Sequence, residues 1–509
     1  MESLTGVLDG FAVLATPASI IAMVLGFLIG TFFAAVPGLT SALAIALLLP
    51  LTYSLDVTVA LVMCAAIFMA GMYAGSITAT TINIPGAPAN MMTSIEGYAL
   101  MKKGLGAKAL GHAALGSMVG GVIGALLLMF VAPIMVKVAL LIRTPGKFSL
   151  ILFALIVIVI AQRKSFAKGT IATVLGVMIA TVGIDVMEPV ARFTFGFEMF
   201  VEGIDMMPLI IGTFAISELL IQSERNHQKV VIVDGAHAKI RRRDFLPTLA
   251  EIREIGLFTY LKSSFIGFLI GVLPGAGGSM AAFVSYAEAM RASKRPEKFG
   301  DGSIEGIAAA ESANNSMCGG AFVPMLTFGI PGDPTTAIVL GVLVINGLQP
   351  GPMLFANQFD LIAPMFASLF VSALVLIPLT LFVLGPYFIK IVTINKAVLY
   401  SGIAVVAVVG GYVATFSIFQ MSLTLVFGVI AYFLRKQDYP TVSMLLGFIL
   451  GPDLELYFRR GLSLEDGNPM IFLTSPDSLV FLVLTVVFFY FFVIRKPKAP
   501  VLIKGKIGG

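Results

Sequence analysis

FLIGTFFAAVPGLTSALAI at residues 27–45 returns in altered form as FLIGVLPGAGGSMAAF at 268–283, and NIPGAP at 83–88 returns as GIPGDP at 329–334. Each copy puts Pro and Gly in the middle of an apolar stretch. Proline lacks the backbone donor and glycine relaxes the backbone, so both interrupt helices. Non-helical backbone survives in hydrocarbon only where protein buries it or where it lines a cavity, and paired interruptions in two halves of a chain are the mark of a transport site.

The rest of the chain sets the environment of these breaks. Of 509 residues, 58% are hydrophobic and only 12% charged, against roughly 25% charged in soluble domains. We therefore expect an all-α polytopic integral membrane protein with broken helices and re-entrant hairpins, in roughly 11–14 membrane segments of about 20 residues or fewer. The net charge of +5 lies in loops and reads as an orientation signal, with no basic stripe suited to nucleic acid. Cys64 and Cys318 sit in apolar surroundings without metal or disulfide spacing. The apolar run near Ile20 follows Glu2 and Asp9 and no basic region, so a cleaved signal peptide is not expected.

Loop charge suggests how the halves face. No Lys or Arg flanks the first Pro-Gly hairpin, at 1–17 or 51–57. The second is flanked by Arg225, Lys229, Lys239, Arg241, Arg242, Arg243 and Arg253 on one side and by Arg291, Lys294, Arg295 and Lys298 on the other. Cytoplasmic loops retain Lys and Arg, so the hairpins should open to opposite sides as two inverted repeats. The expected organisation is an N-terminal repeat at 1–222 (hairpin 18–52, re-entrant segment 74–92) and a cytoplasmic linker at 223–255. A C-terminal repeat at 256–494 (hairpin 256–290, re-entrant segment 319–346) and a cytoplasmic tail at 495–509 follow. The N-terminus would be periplasmic. Arg143 with Lys147, and Arg459 with Arg460, fit this scheme poorly because they fall outside.

A helix start leaves about four N–H groups unpartnered and carries about half a positive charge, which suits a carboxylate. Pro37, Gly38, Thr40 and Ser41 in the first hairpin, and Pro274, Gly275, Gly277, Gly278 and Ser279 in the second, are substrate-binding candidates on that ground. They offer anion-binding chemistry without a fixed positive charge. The competing reading is that each Pro-Gly merely kinks a helix for packing. The first Ile-Pro-Gly segment adds Thr80, Thr81, Asn83, Pro85, Gly86 and Asn90; the second adds Pro331, Gly332, Thr335 and Thr336. Asp333 has no counterpart, since Ala87 occupies the matching place. As an ionisable group inside a membrane segment it is the candidate for cation coupling, through Na+ or a proton, unless it simply caps the helix starting at Pro334. Glu311, Asn314 and Asn315 share one helix face, suited either to a wet pathway or to tight packing, with the two asparagines as the candidate ligands. Metalloprotease, serine-hydrolase, Walker A and CxxC patterns are missing, so neither an enzymatic role nor a prosthetic cofactor is expected.

VPGLTSALAIALLLPLTY (36–53), YAGSITATTINIPGAPANMMTSIEGY (73–98) and GVLPGAGGSMAAFVSYAEA (271–289) carry a family resemblance. So do IEGIAAAESANNSMCGGAFVPMLTFGIPGDPTTAIVLGVL (304–343) and GLQPGP (347–352). Together they resemble TctA, the large membrane subunit of the tripartite tricarboxylate transporter family. The resemblance implies a permease of the bacterial inner membrane partnered by a small four-span subunit (TctB-like) and a periplasmic solute-binding protein (TctC-like). It implies secondary active uptake of a di- or tricarboxylate, citrate being one example, driven by a Na+ or H+ gradient, with an elevator-type movement in view. An exporter or an anion channel of the same fold is the alternative.

Overall fold

In hydrocarbon, backbone polar groups must be satisfied within their own segment, and helices do this without a partner. The computed structural model describes residues 2–52, 54–161, 165–225, 241–388, 396–413 and 415–495. Among these the only strands are β1 (Gly183–Ile184) and β2 (Ala191–Arg192), an antiparallel pair; the remaining regular structure is helical. Nine of the described helices are long and apolar enough to cross a membrane. Counting one pair bent by 92° at Gly256 as a single span makes ten, and four shorter apolar helices accompany them. Val480, Val483 and Val486 stand exposed on the last of the nine, as a surface facing lipid rather than water allows. The protein is a multi-pass, all-α membrane protein.

The order of elements is stated twice. In the first half, after α1 (Glu2–Leu14), α2 (Pro17–Ala34) meets a Pro-Gly turn, then come α3 (Ser41–Thr52), the long α4 (Val57–Ile82), an Ile-Pro-Gly break, α5 (Met91–Lys102) and α6 (Gly106–Leu141). Next are α7 (Thr144–Ala161), α8 (Phe166–Ala180) and α9 (Met206–Glu224). The second half runs α10 (Leu257–Val272), Pro-Gly turn, α11 (Gly277–Ala292), α12 (Ile304–Phe328), Ile-Pro-Gly break, α13 (Pro334–Ile345) and α14 (Phe359–Tyr387). It closes with α15 (Lys396–Val413), α16 (Ile418–Lys436), α17 (Thr441–Ser463) and α18 (Pro476–Ile494).

Glycine contacts repeat with the elements. A Cβ added at Gly30 would lie 2.6 Å from Ile67 O, and one at Gly267 would lie 2.1 Å from Ala313 O, so α2 rests on α4 as α10 rests on α12. At the breaks, Gly86 abuts Ala34 O and Gly75, while Gly332 abuts Gly271 O and Ala321. Backbones at this separation leave no room for a side chain, the small-residue mode of helix packing in membranes. Helix α12 is gripped on a second flank, because Gly120 and Gly124 of α6 would place a Cβ 2.0 Å from Ser312 O and 2.5 Å from Ser316 O. The outer helices form their own locked pairs: Gly176 of α8 lies against Met444 of α17, and Gly212 of α9 against Thr424 of α16.

These contacts move two boundaries. The re-entrant segments expected at 74–92 and 319–346 begin inside continuous helices, α4 and α12, and the chain leaves helix only at Asn83 and Gly329, both left-handed (φ 58° and 70°). Gly319 and Gly320 do not break α12 because they serve packing: a Cβ on the first would meet Gly124 O at 2.1 Å and on the second Phe268 O at 2.2 Å. The described part of the 223–255 linker is docked rather than loose, with Phe245 buried and its carbonyl against Gly111. Two arginines that fitted the charge rule poorly are paired. Arg459 and Arg192 share Asp185 and Glu455 at 2.7–3.2 Å, and Arg143 reaches Asp477 at 3.4 Å. Residues Arg163, Lys164, Lys229, Lys239, Lys390 and the tail from 496 lie outside the described residues.

The two halves are tied crosswise. Helix α3 of the first half packs against α13 of the second, and α11 of the second packs against the 3-10 turn Pro88–Asn90 of the first. Below this contact the fully buried Glu96 of α5 holds the 300–303 loop. It accepts hydrogen bonds from Tyr286 Oη (2.5 Å) and from the backbone N–H groups of Gly300 (2.6 Å), Gly302 (2.8 Å) and Ser303 (2.7 Å).

Candidate substrate cavity between the helix breaks

All four breaks open on one cavity of about 690 Å³. The first hairpin contributes Thr40 and Ser41, the second Gly275, Gly277, Gly278 and Ser279. The first Ile-Pro-Gly break contributes Ala87, Pro88 and Ala89, and the second Asp333, Pro334 and Thr335. Ser41 Oγ lies 3.4 Å from Thr335 Oγ1, so a hydroxyl of one half meets a hydroxyl of the other. The volume suits a small polyanion, and the polar groups sit at helix starts, where unpartnered N–H groups favour negative charge.

The opposite wall comes from the outer helices: Thr213, Phe214 and Glu218 of α9, Arg435 of α16, and Thr441 and Val442 of α17. Arg435 adds a basic side chain to the lining of a cavity whose sequence candidates carry no fixed positive charge. It stands in the last turn of α16, where a basic residue reads from sequence as an orientation signal. Its Nη2 donates to Glu218 Oε2 (2.6 Å) and its Nη1 to Ser217 Oγ (3.1 Å). Glu218 accepts in turn from Gln222 Nε2 (2.7 Å), and Gln222 Oε1 accepts from Tyr400 Oη (3.4 Å). Gly38, at φ 92°, lies against this glutamine: a Cβ there would fall 1.9 Å from Gln222 Nε2. The first hairpin tip thereby touches the chain of side chains that holds the cavity's arginine.

The remaining sequence candidates have other surroundings. Asp333 is 4% exposed and caps α13, its Oδ1 accepting from Thr335 N (2.8 Å) while Thr336 Oγ1 bonds back to the Asp333 backbone. Capping and cavity lining coexist, since Oδ2 points toward Gly277, where an added Cβ would sit 3.1 Å away. Thr81 bonds within its own helix to Ile77 O, and Asn83 is the exposed left-handed cap of α4. Pro37, Pro274, Pro85, Gly86, Pro331 and Gly332 shape the breaks without lining the cavity. Asn90, Asn314 and Asn315 lie behind its wall: the first two donate to Met72 O (2.9 and 3.1 Å) and the third to Met69 O (3.2 Å). Among the described residues, no group of three or more His, Cys, Asp or Glu side chains could hold a metal ion.

The sequence profile of the tripartite tricarboxylate transporter TctA family matches residues 20–446, a stretch that contains every break. The chain belongs to this family. Two relatives come from Agrobacterium vitis. One is a 52.8 kDa protein of the TAR-I ttuC' 3' region, described as uncharacterized, with 34% identity over 94% of this chain and 93% of the relative. The other is a protein of the TAR-II ttuC' 3' region, with 37% identity over 41% of this chain and 86% of the relative. No solved structure gives a significant match. Membership makes this TctA-family chain a transporter component that belongs to a system of several parts.

Proposed function

We propose that the chain is the permease of a secondary active uptake system for a di- or tricarboxylate, situated in the bacterial inner membrane. A periplasmic solute-binding protein delivers the substrate, a small four-span subunit accompanies the permease, and a cation gradient drives uptake. The carrying observation is that the four breaks, two from each half, open on one cavity whose far wall presents Arg435. Substrate carboxylates lie against the N–H groups and hydroxyls of the breaks, with a further carboxylate on Arg435 in exchange for Glu218. The halves are inverted repeats, with the N-terminus periplasmic and the C-terminus cytoplasmic. The breaks ride on the glycine-locked core α2, α4, α6, α10 and α12. Arg435 rides on the separately locked outer helices, so displacing one block against the other, as in an elevator, would open the cavity to alternate sides.

The test is uptake of radiolabelled di- and tricarboxylates into proteoliposomes holding the permease and its small subunit, with the binding protein outside. Uptake should saturate, require the binding protein and collapse with the cation gradient. Arg435→Gln should raise the half-saturating concentration roughly 10–100-fold, the worth of one or two hydrogen bonds to a charged group. Uptake that needs neither gradient nor binding protein would mark a channel and sink the reading.

A further inference from the structure

Behind the cavity wall lies a second polar cluster that substrate recognition does not use. Its centre is Glu311 of α12, 0% exposed. Oε1 accepts from Asn90 Nδ2 (3.1 Å) and from the Thr93 hydroxyl, and Oε2 accepts from Ser117 Oγ (3.1 Å). Each partner is able to donate to it, as an ionised carboxylate would require. Among the described residues no basic side chain pairs with it. An ionised group at such a position is costly unless opposite charge compensates it.

Two asparagines supply the second observation. Asn90 and Asn314 are both 0% exposed, and both send their amide nitrogens to the same acceptor, Met72 O, at 2.9 and 3.1 Å. Their carbonyl oxygens, Asn90 Oδ1 and Asn314 Oδ1, have no hydrogen-bond partner. Oxygen and nitrogen of an amide are interchanged by half a turn of the side chain. That turn brings both amide oxygens round to the side of Met72 O, and Asn90's toward Glu311, so that a carboxylate, two amide oxygens and a main-chain oxygen converge, with the hydroxyls of Thr93 and Ser117 beside them.

We propose that this cluster is the binding site of the coupling cation, a monovalent hard cation of the Na+ class. An all-oxygen donor set suits a hard cation, and a single carboxylate neutralises one positive charge, where calcium sites gather several. A proton fits less well, because it would give Glu311 one hydrogen to donate while two buried carbonyl oxygens want partners. The site joins α4, the first break, α5 and α6 of the first half to α12 of the second. Met72, Ala89 and Gly278, which lie against it, also line the substrate cavity. A cation that draws Asn90 inward therefore pulls on the Ala87–Ala89 wall next to the cargo, which is how ion and substrate would be coupled. Asp333 already caps α13 and is not a ligand of this ion.

The site rests on the cation-driven reading above, yet its test needs no transport. The full-length chain is purified in detergent and its thermal midpoint is followed as NaCl replaces choline chloride at constant ionic strength. Wild type should be stabilised saturably, as any ligand of the folded state alone stabilises it. Glu311→Gln should lose the response. Ser117→Ala and Asn314→Ala should raise the half-saturating Na+ concentration about 10-fold or more, the usual cost of removing a group at a metal site. Asp333→Asn should keep the Na+ response even where uptake changes. A wild-type midpoint indifferent to Na+, a Glu311→Gln protein that responds like wild type, or a midpoint that follows pH and not Na+ would each overturn the assignment. Should Glu311→Gln fail to fold, the Ser117→Ala titration decides. Gradient-independent uptake alongside intact Na+ binding would refute the transport reading and leave the site standing.

Discussion

At the first Ile-Pro-Gly break the chain leaves α4 through a left-handed Asn83 and passes a 3-10 turn before re-entering helix at Met91; at the second it leaves α12 through a left-handed Gly329 and Asp333 caps the next helix at once. Both breaks seat their glycine on the end of the hairpin helix of their own half, Gly86 on Ala34 O and Gly332 on Gly271 O. Their polar groups diverge. Asn90 of the first reaches across to Glu311 in the other half, and the side chains it leaves at the cavity are Ala87, Pro88 and Ala89. Asp333 of the second stays local, capping α13 and facing Gly277. The same backbone solution occurs twice while its polar side chains are turned to different partners, one across the halves and one within its own break.

The strongest way to break this division is to give the first copy the acid of the second. Ala87→Asp places a second carboxylate in the cavity beside an anionic cargo, and like charges brought together there should weaken substrate half-saturation roughly 10–100-fold. The thermal midpoint should change little, which separates repulsion from misfolding. The shared backbone role is tested next. Gly86→Ala and Gly332→Ala each force a methyl against a carbonyl oxygen that cannot swing aside, so each should cost about 1–3 kcal/mol in chemical unfolding. A large cost at only one of the two would show that the breaks are not equivalent.

Asp333 offers a finer measurement. Asp333→Ala removes a helix cap and should destabilise by about 1 kcal/mol, whereas Asp333→Asn keeps the cap and should cost only a few tenths. Equal losses would mean that its charge, rather than its capping oxygen, matters to the fold. The smallest effect comes from a carboxylate remote from both breaks. Asp185, in the loop between β1 and β2, is held down to about 2 by the backbone N–H of Met187, then by that of Glu188 and by Arg459 and Arg192. A folded value below the ordinary 3.8 means that its contribution is complete above that pH and is lost as the pH falls toward about 2. The difference in thermal midpoint between wild type and Asp185→Asn should be constant above about pH 4 and close below it.

Helix content and the four breaks could be read from sequence because Pro and Gly act locally and the recurrence of their motifs exposed them. The exact exits from helix could not. Gly319 and Gly320 have the composition of a break, yet neighbouring backbones press on them and keep α12 intact. Glu311 was visible on a shared face with Asn314 and Asn315, but its donors Asn90, Thr93 and Ser117 come from three other segments that only folding assembles. Arg435 was hidden for the opposite reason, since charge counting treats every arginine near a span end as a topological signal. Nothing in its immediate sequence says that α9 will set Glu218 beside it.

Helix α12 is keyed along two flanks, by Gly120 and Gly124 of α6 and by Gly267 and Gly271 of α10. A slip of one turn, about 5.4 Å, would drive bulkier side chains into both slots together. The rod that carries Glu311 is therefore a fixed ruler within its block: a ligand seated against it would change sides only if the block travelled whole.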